Sequence, residues 1–345
     1  MSVFGADAAL PLVSETMGFD ETQALLAAAE LYDGLPLTPP TDRHLQAMLE
    51  GVAEPDRSHG LLPPLYGDLT PRAVAYQCML AGCIPAELPV VLTAATACLD
   101  PAFNVLGLLT TTGTPAIATI VHGPVAAKLD MNSGTNCLGP GTRANAAIGR
   151  AVSLVMRNIG GAREGSGDMA TMGQPGKYSF CCAETLPTIY PGLAERQGLG
   201  TDASAVTVLG VSGTVEVLPL DDRDTPEAIL TPMAAAMIAT GAAASAGRAR
   251  PPGQQVFLLP PELAAGVDKH GWSIGDMQTF LFETTSIEIP GVMSINAAKP
   301  IAASPQDILP IITGGPGVKM TYLPLWAGGS AIQTRALKSL EDQDL

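Results

Sequence analysis

The segment Asn132–Gly161, NSGTNCLGPGTRANAAIGRAVSLVMRNIGG, constrains this chain most, because a glycine-rich loop carrying one cysteine runs directly into a strongly patterned helix. From Ala144 onward, Ala147, Ile148, Ala151, Val152, Val155 and Ile159 follow the three-to-four spacing of a single buried stripe. Arg143, Arg150 and Arg157 recur every seven residues on another face. Ahead of the helix, Ser133-Gly134-Thr135-Asn136 and Gly139-Pro140-Gly141 let backbone N–H groups converge, with Thr142 as N-cap. The unpaired N–H groups of a first helical turn carry partial positive charge, which suits a carboxylate, a phosphate or an oxyanion. Asn132, Ser133, Gly134, Asn136, Gly139, Gly141, Arg143 and Asn145 are therefore the expected substrate-binding residues, joined by Lys319 from a second glycine-rich loop. The competing reading is a tight connection in which glycine serves only close packing. Neither GxGxxG nor GxxxxGK[ST] is present in the loop, so a nucleotide is not implied.

Charge narrows the partners. With 33 acidic against 18 basic residues the formal net charge is −15, which repels a phosphate backbone and an anionic bilayer alike. No nucleic-acid and no membrane partner is expected. Apolar residues make up 47% and charged residues 15% of the 345 positions, a balance that points to a large core and a subunit interface, hence a homo-oligomer. The first twenty residues have no basic stretch followed by an apolar core, so the expected location is cytoplasmic. Two long uncharged runs, 101–127 and 228–247, are broken or weakly apolar and are not expected to span a bilayer. The six scattered cysteines read as thiols, not as a disulfide framework.

The pattern along the chain predicts an α/β fold, with layered mixed sheets, flanking helices and two related halves. Residues 1–65 form an N-terminal helical arm, 66–220 an α/β domain holding the glycine-rich loop, and 221–345 a second α/β domain, the acidic stretch PLDDRDTPE marking the boundary. Helices are predicted over 21–32, 44–50, 71–81 and 88–98, with Thr70 as N-cap and Pro71 at the first helical position. Asn104–Thr111, Ala116–His122, Tyr178–Ala183 and Ala205–Val217 have the length and β-branched content of buried strands. The segments 173–184 and 314–326 share the order Pro-Gly, lysine, apolar strand, which suggests a degenerate duplication.

Three positions carry the expected chemistry. His122 ends an apolar strand, where catalytic side chains collect in α/β proteins, and is the expected general acid/base; a histidine satisfied by a backbone carbonyl is the alternative. Cys137 lies among loop N–H dipoles and close to Arg143 in sequence, which favours the thiolate and makes it the expected nucleophile, with Cys83 in AGCIP as a second candidate. In the strand 177–184, Lys177, Ser179 and Cys181 fall on one face and Phe180, Cys182 and Glu184 on the other, so a Cys181–Cys182 disulfide is disfavoured. Lys177 and Glu184 are expected as charge stabiliser and base. No CxxC, HxH or HExxH occurs; zinc would have to be assembled from distant Cys137, His122 and Cys83, and the preferred reading has no cofactor.

Taken together, AGCIPAELPVV, TPAIATIVHGP, NSGTNCLGPGTRANAAIGRA, GQPGKYSFCCAE and ITGGPGVK resemble a poorly characterised bacterial family associated with UGSC-type selenocysteine/cysteine proteins, over roughly residues 70–325. The resemblance implies an AGC-x-P-E segment whose acidic residue follows the proline; here Ala86 holds that place and Glu87 comes one later. The U/C-G-S-C segment is absent from this chain. The expected function is an enzyme acting on a small, anionic substrate by cysteine- and histidine-assisted hydrolysis or lyase chemistry at a C–N or C–S bond. Its alternatives are a non-catalytic small-molecule-binding or scaffold subunit of a complex, and a thiol redox protein.

Overall fold

A computed structural model describes residues 10–222, 224–245, 252–286 and 301–337. The arm comprises α1 (Phe19–Ala28), α2 (Asp42–Met48) and a short hairpin of β1 (Leu61–Leu62) with β2 (Gly67–Asp68). Next comes α3 (Pro71–Ala81), opened by the Thr70 side chain accepting from Ala73 N and closed by Gly82 in the left-handed region. It is followed by α4 (Leu88–Cys98), α5 (Val105–Thr110), β3 (Ala116–His122), α6 (Pro124–Lys128), α7 (Arg143–Leu154) and β4 (Cys181–Ala183). The strand predicted over 104–111 is thus a helix. Asn104 adopts positive φ and accepts from Gly107 N, which closes the first turn locally, and the Leu-Gly-Leu-Leu that follows has no pleat preference to oppose it. The strand predicted over 178–183 is confined to three residues, because Pro175–Lys177 winds into a 3₁₀ turn.

The remaining elements are α8 (Leu193–Arg196), β5 (Ala205–Val211), β6 (Val215–Val217), α9 (Pro226–Ser245), β7 (Gln255–Leu259), α10 (Pro261–Asp268), α11 (Ile274–Ser286), β8 (Ile308–Ile312), β9 (Met320–Leu323) and β10 (Gln333–Ala336). They build two mixed four-stranded sheets, β10-β5-β3-β4 and β6-β9-β7-β8. In each, a central strand runs parallel to one neighbour and antiparallel to the other: β3 with β4 and β5, β7 with β8 and β9. Among the described residues, two α-helices bridge each parallel pair, α6 and α7 in the first half, α10 and α11 in the second. The outer strands are exchanged. β6 leaves the first half to pair with β9, and β10 leaves the second to pair with β5.

The halves are therefore related in topology, but not at the register suggested by the sequence. Segment 173–184 ends in β4, parallel to the central strand, whereas 314–326 forms β9, antiparallel to it. The counterpart of β4 is β8, as two matching bonds show: Glu184 N donates to Val121 O at 2.9 Å, and Thr313 N to Leu259 O at 3.1 Å. Pro-Gly followed by lysine is turn chemistry that recurs without a shared topological place.

Packing follows the period-two alternation. Ala116, Ala118, Ile120, Cys182, Leu209 and Val211 of the first sheet meet Val256, Leu258, Leu309, Ile311 and Leu323 of the second in one core. The opposite faces carry Ile117, Val121, Cys181 and Val208 against α3, α4 and α7, and Phe257, Leu259, Ile308 and Tyr322 against α9, α10 and α11. The order of layers is helix, sheet, sheet, helix. With both faces covered, β3, β5 and β8 are buried throughout, which is why they read as unbroken apolar runs. No single helix among the described residues is long and apolar enough to cross a membrane.

Helix α7 ties the first half together. The whole predicted stripe from Ala147 to Ile159 is buried, and each arginine of the heptad spacing finds a carboxylate: Arg143 with Glu87, Arg150 with Asp33, Arg157 with Glu164. Arg150 also donates to Leu35 O and Pro36 O, which fastens the arm to the helix. At Gly149 the helix lies so close to the segment leading into β4 that a Cβ would stand 2.4 Å from Ser179 Oγ and 2.8 Å from Phe180 N. Gly149→Ala is expected to cost about 1–3 kcal/mol through overpacking, read as a lower denaturant midpoint; an unchanged midpoint would show that the helix can move away at no cost.

Candidate active site

The carboxyl ends of β4 and β8 converge, and the loop 132–143 closes over them. Thr185 N donates to Ile312 O at 2.8 Å and Gly314 N to Ser133 O at 2.8 Å. Ser133 O also accepts from the hydroxyls of Thr185 and Thr313, at 3.0 and 3.1 Å. The two glycine-rich loops touch so closely that a Cβ on Gly315 would lie 2.7 Å from Thr135 Cα. This seam between the halves places Cys137, which is 8% exposed, at the rim of the core between the sheets.

The loop's polar side chains shape it from within. Asn145, buried on α7, accepts from Asn132 N at 2.9 Å and donates to Asn132 O at 2.8 Å and Cys137 O at 3.1 Å. Asn132 accepts from Gly134 N and donates to Thr135 O; Asn136, at positive φ, donates to Pro140 O. These three asparagines thus act as loop braces and do not direct their amides at a guest. A Cβ on Gly139 would lie 2.1 Å from Asn136 Oδ1, so a side chain there would displace the amide that braces Pro140 O. Gly134 and Gly141 are turn positions, Gly141 at φ +132°. Thr142 occupies the N-cap position with extended backbone, yet its side chain makes no capping bond.

The amides expected to gather around a ligand are in part taken up within the loop, where Cys137 N donates to Gly134 O at 3.1 Å, Gly139 N to Asn136 O at 2.9 Å and Gly134 N to Asn132 Oδ1 at 2.7 Å. The pKa of Cys137 is held down to about 7 by the Cys182 thiol, which donates to it, by the Thr313 hydroxyl and by the N–H groups of Cys137 and Leu138. Partial burial opposes them. Thr313 Oγ1 lies 3.8 Å from Cys137 Sγ, and its single hydrogen is shared among this sulfur, Ala183 O at 2.8 Å and Ser133 O at 3.1 Å. The Cys182 thiol is pushed well up by its proximity to Cys137 and by burial. Arg143, expected to favour the thiolate, instead forms a two-pronged ion pair with buried Glu87 at 2.7 and 3.0 Å. Glu87 also accepts from Ile84 N, so this carboxylate keeps a defined place one position after the one the family resemblance implies.

His122 is fully buried, and both ring nitrogens are engaged. Nδ1 lies 2.6 Å from Glu184 Oε2 and Nε2 lies 2.7 Å from Thr207 Oγ1, which in turn meets Thr334 Oγ1 at 2.8 Å. Glu184 additionally accepts from Leu193 N at 3.0 Å. The expected acid/base partners thus form an internal network joining β3, β4, β5, β10 and α8, with no nitrogen left for a substrate. The alternative of a backbone-satisfied histidine was right about satisfaction but not about the partner.

The other expected residues lie elsewhere. Lys177 pairs with Asp168 in a cavity of about 760 Å³ at the opposite end of β3, alongside Ala116 and Ile117. Lys319 pairs with Glu216 on an exposed surface. Cys83 sits beside Cys78, whose hydrogen bond pushes its thiol well up and away from nucleophilic character. Cys137, His122 and Lys177 therefore do not face one cavity. Among the described residues no group of three or more His, Cys, Asp or Glu side chains is arranged to hold a metal, and Cys137, His122 and Cys83 do not form such a set. Thr313 and Thr185 were missed. Thr313 could have been noticed as a polar residue ending an apolar strand before Gly-Gly.

Comparison with protein-family models finds no match, and a search of curated proteins finds none either.

Proposed function

We propose that this chain is an enzyme in which the Cys137 thiolate attacks a small, anionic substrate held at the seam between loop 132–143 and loop 314–319, with hydrolysis or cleavage at a C–N or C–S bond. The observation that carries the reading is the seat of Cys137 Sγ at the carboxyl ends of β4 and β8, 3.8 Å from Thr313 Oγ1, where ligands bind in open α/β sheets. A thiol with a pKa of about 7 is half ionised at neutrality. It therefore needs no general base, which accommodates the internal engagement of His122. The first turn of α7, with no side-chain cap, supplies N–H groups for substrate charge and for charge developing in the transition state. Membership of the UGSC-type family belongs to the same reading, as does a homo-oligomeric, cytoplasmic protein.

The test is the pH dependence of alkylation of the intact chain by iodoacetamide, with the modified residue identified by peptide mapping. Cys137 should react first, with a midpoint near pH 7, and Thr313→Val should move that midpoint upward by removing one donor. A Cys137 rate still climbing beyond pH 9, or a native Cys137 that does not react, overturns the proposal.

The cavity near Lys177 favours a second reading, a small-molecule-binding subunit. Its volume falls within the roughly 300–1,000 Å³ of ligand pockets, and Leu108, Leu154 and Met156 set an apolar floor beside the Lys177–Asp168 and Arg157–Glu164 ion pairs. Under that reading Lys177→Ala abolishes ligand binding and Cys137→Ser does not.

A further inference from the structure

We propose that Cys182 is the resolving thiol for Cys137, so that a hydroperoxide converts this pair, and no other pair of cysteines in the chain, into an intramolecular disulfide. The inference rests on the nucleophilic Cys137 of the preceding reading and adds a modification site to it. Six cysteines are present and all are free. Only the core between the sheets brings a loop cysteine and a strand cysteine into one buried cluster, Cys137 with Cys182. Two further links fasten the loop along β4. Ala183 N donates to Asn132 O, and Thr313 Oγ1 bridges Ala183 O and Cys137 Sγ. Cys181, adjacent in sequence, points into the opposite core against the helices. Cys83 and Cys78 contact each other at the end of α3. The strand pleat thus selects which of two neighbouring cysteines can answer Cys137.

The chemistry closes on the groups present. The Cys137 thiolate attacks the terminal oxygen of ROOH and breaks the O–O bond; RO⁻ leaves and takes a proton from water, so the peroxide is reduced to ROH and Cys137 is oxidised to the sulfenic acid. The Cys182 sulfur then displaces the sulfenic hydroxyl, which departs as water with the Cys182 proton, and the S–S bond forms. The shared core, with the loop tied to β4 through Ala183 N and Asn132 O, places the attacking sulfur on the side of the strand that faces the one it must reach.

The experiment treats the full chain with hydrogen peroxide in the presence of dimedone, followed by non-reducing peptide mapping. The parent and Cys181→Ala should both yield a Cys137–Cys182 disulfide and little dimedone adduct. Cys182→Ala and Cys182→Ser should lose the disulfide and accumulate Cys137 adduct by on the order of tenfold, because the intramolecular competitor is gone. Equal adduct in the parent and in both Cys182 variants overturns the inference, as does a disulfide to Cys181, Cys78 or Cys83. If Cys137 alkylates with its midpoint near pH 7 yet forms no disulfide, the resolving role alone fails; if it reacts with neither reagent, the nucleophile reading fails with it.

Discussion

Replacing Glu184 by alanine is expected to destabilise the fold by about 2–6 kcal/mol, because two buried nitrogens each lose their acceptor at about 1–3 kcal/mol apiece. The carboxylate meets His122 Nδ1 at 2.6 Å and Leu193 N at 3.0 Å, wholly inside the protein. Its loss strands a ring nitrogen and a backbone N–H among apolar neighbours, and the alanine leaves a void besides. Glu184→Gln, which retains an acceptor oxygen and nearly the same volume, should cost markedly less. Guanidinium denaturation separates the cases. Midpoints for the alanine and glutamine variants that coincide with the parent would mean that the network contributes nothing, and His122 would then be available for other roles.

Cys137→Ser is expected to reduce turnover by on the order of 10³-fold or more for any substrate processed through the thiolate, because a serine hydroxyl is not ionised near neutrality and no general base adjoins it. The substitution is close to isosteric, and Asn145, which braces the loop through Cys137 O, is untouched. Stability should therefore stay near the parent value while activity is lost. The measurement is kcat/KM with the substrate that emerges from a screen of small anionic amides, amidines and thioethers, paired with a denaturation curve. Parent-level turnover by a folded Cys137→Ser protein rules out nucleophilic catalysis and leaves the cavity around Lys177 as the place to look.

How legible the site was depended on how far apart its parts lie in the chain. Cys137 and its loop were visible because glycine and asparagine declare special backbone geometry locally, and His122 because it ends a strand whose apolar run is unbroken. What His122 touches was not visible. Glu184, Thr207 and Thr334 lie 62, 85 and 212 residues away, and their meeting depends on β10 crossing into the first sheet. The same distance hid Thr313, which reaches Cys137 across 176 residues through the convergence of β4 and β8. Lys177 was misplaced for the opposite reason. A short apolar stretch was extended back into a strand, whereas Pro175 and Gly176 had already committed the chain to a turn.

The sequence by itself determined the α/β class, the Thr70-capped helix α3, the stripe and arginine face of α7, and the strands β3 and β5. Each of these is written in the periodicity and capping of adjacent residues, which act over a few ångströms along the chain. Only the tertiary structure decided that β6 and β10 trade sheets, that Arg143 belongs to Glu87, and that Cys137 and Cys182 share one core. Those outcomes are choices among partners of similar chemistry, and a hydrogen bond or an ion pair selects its partner by position in space, which exists only after the two sheets have packed face to face.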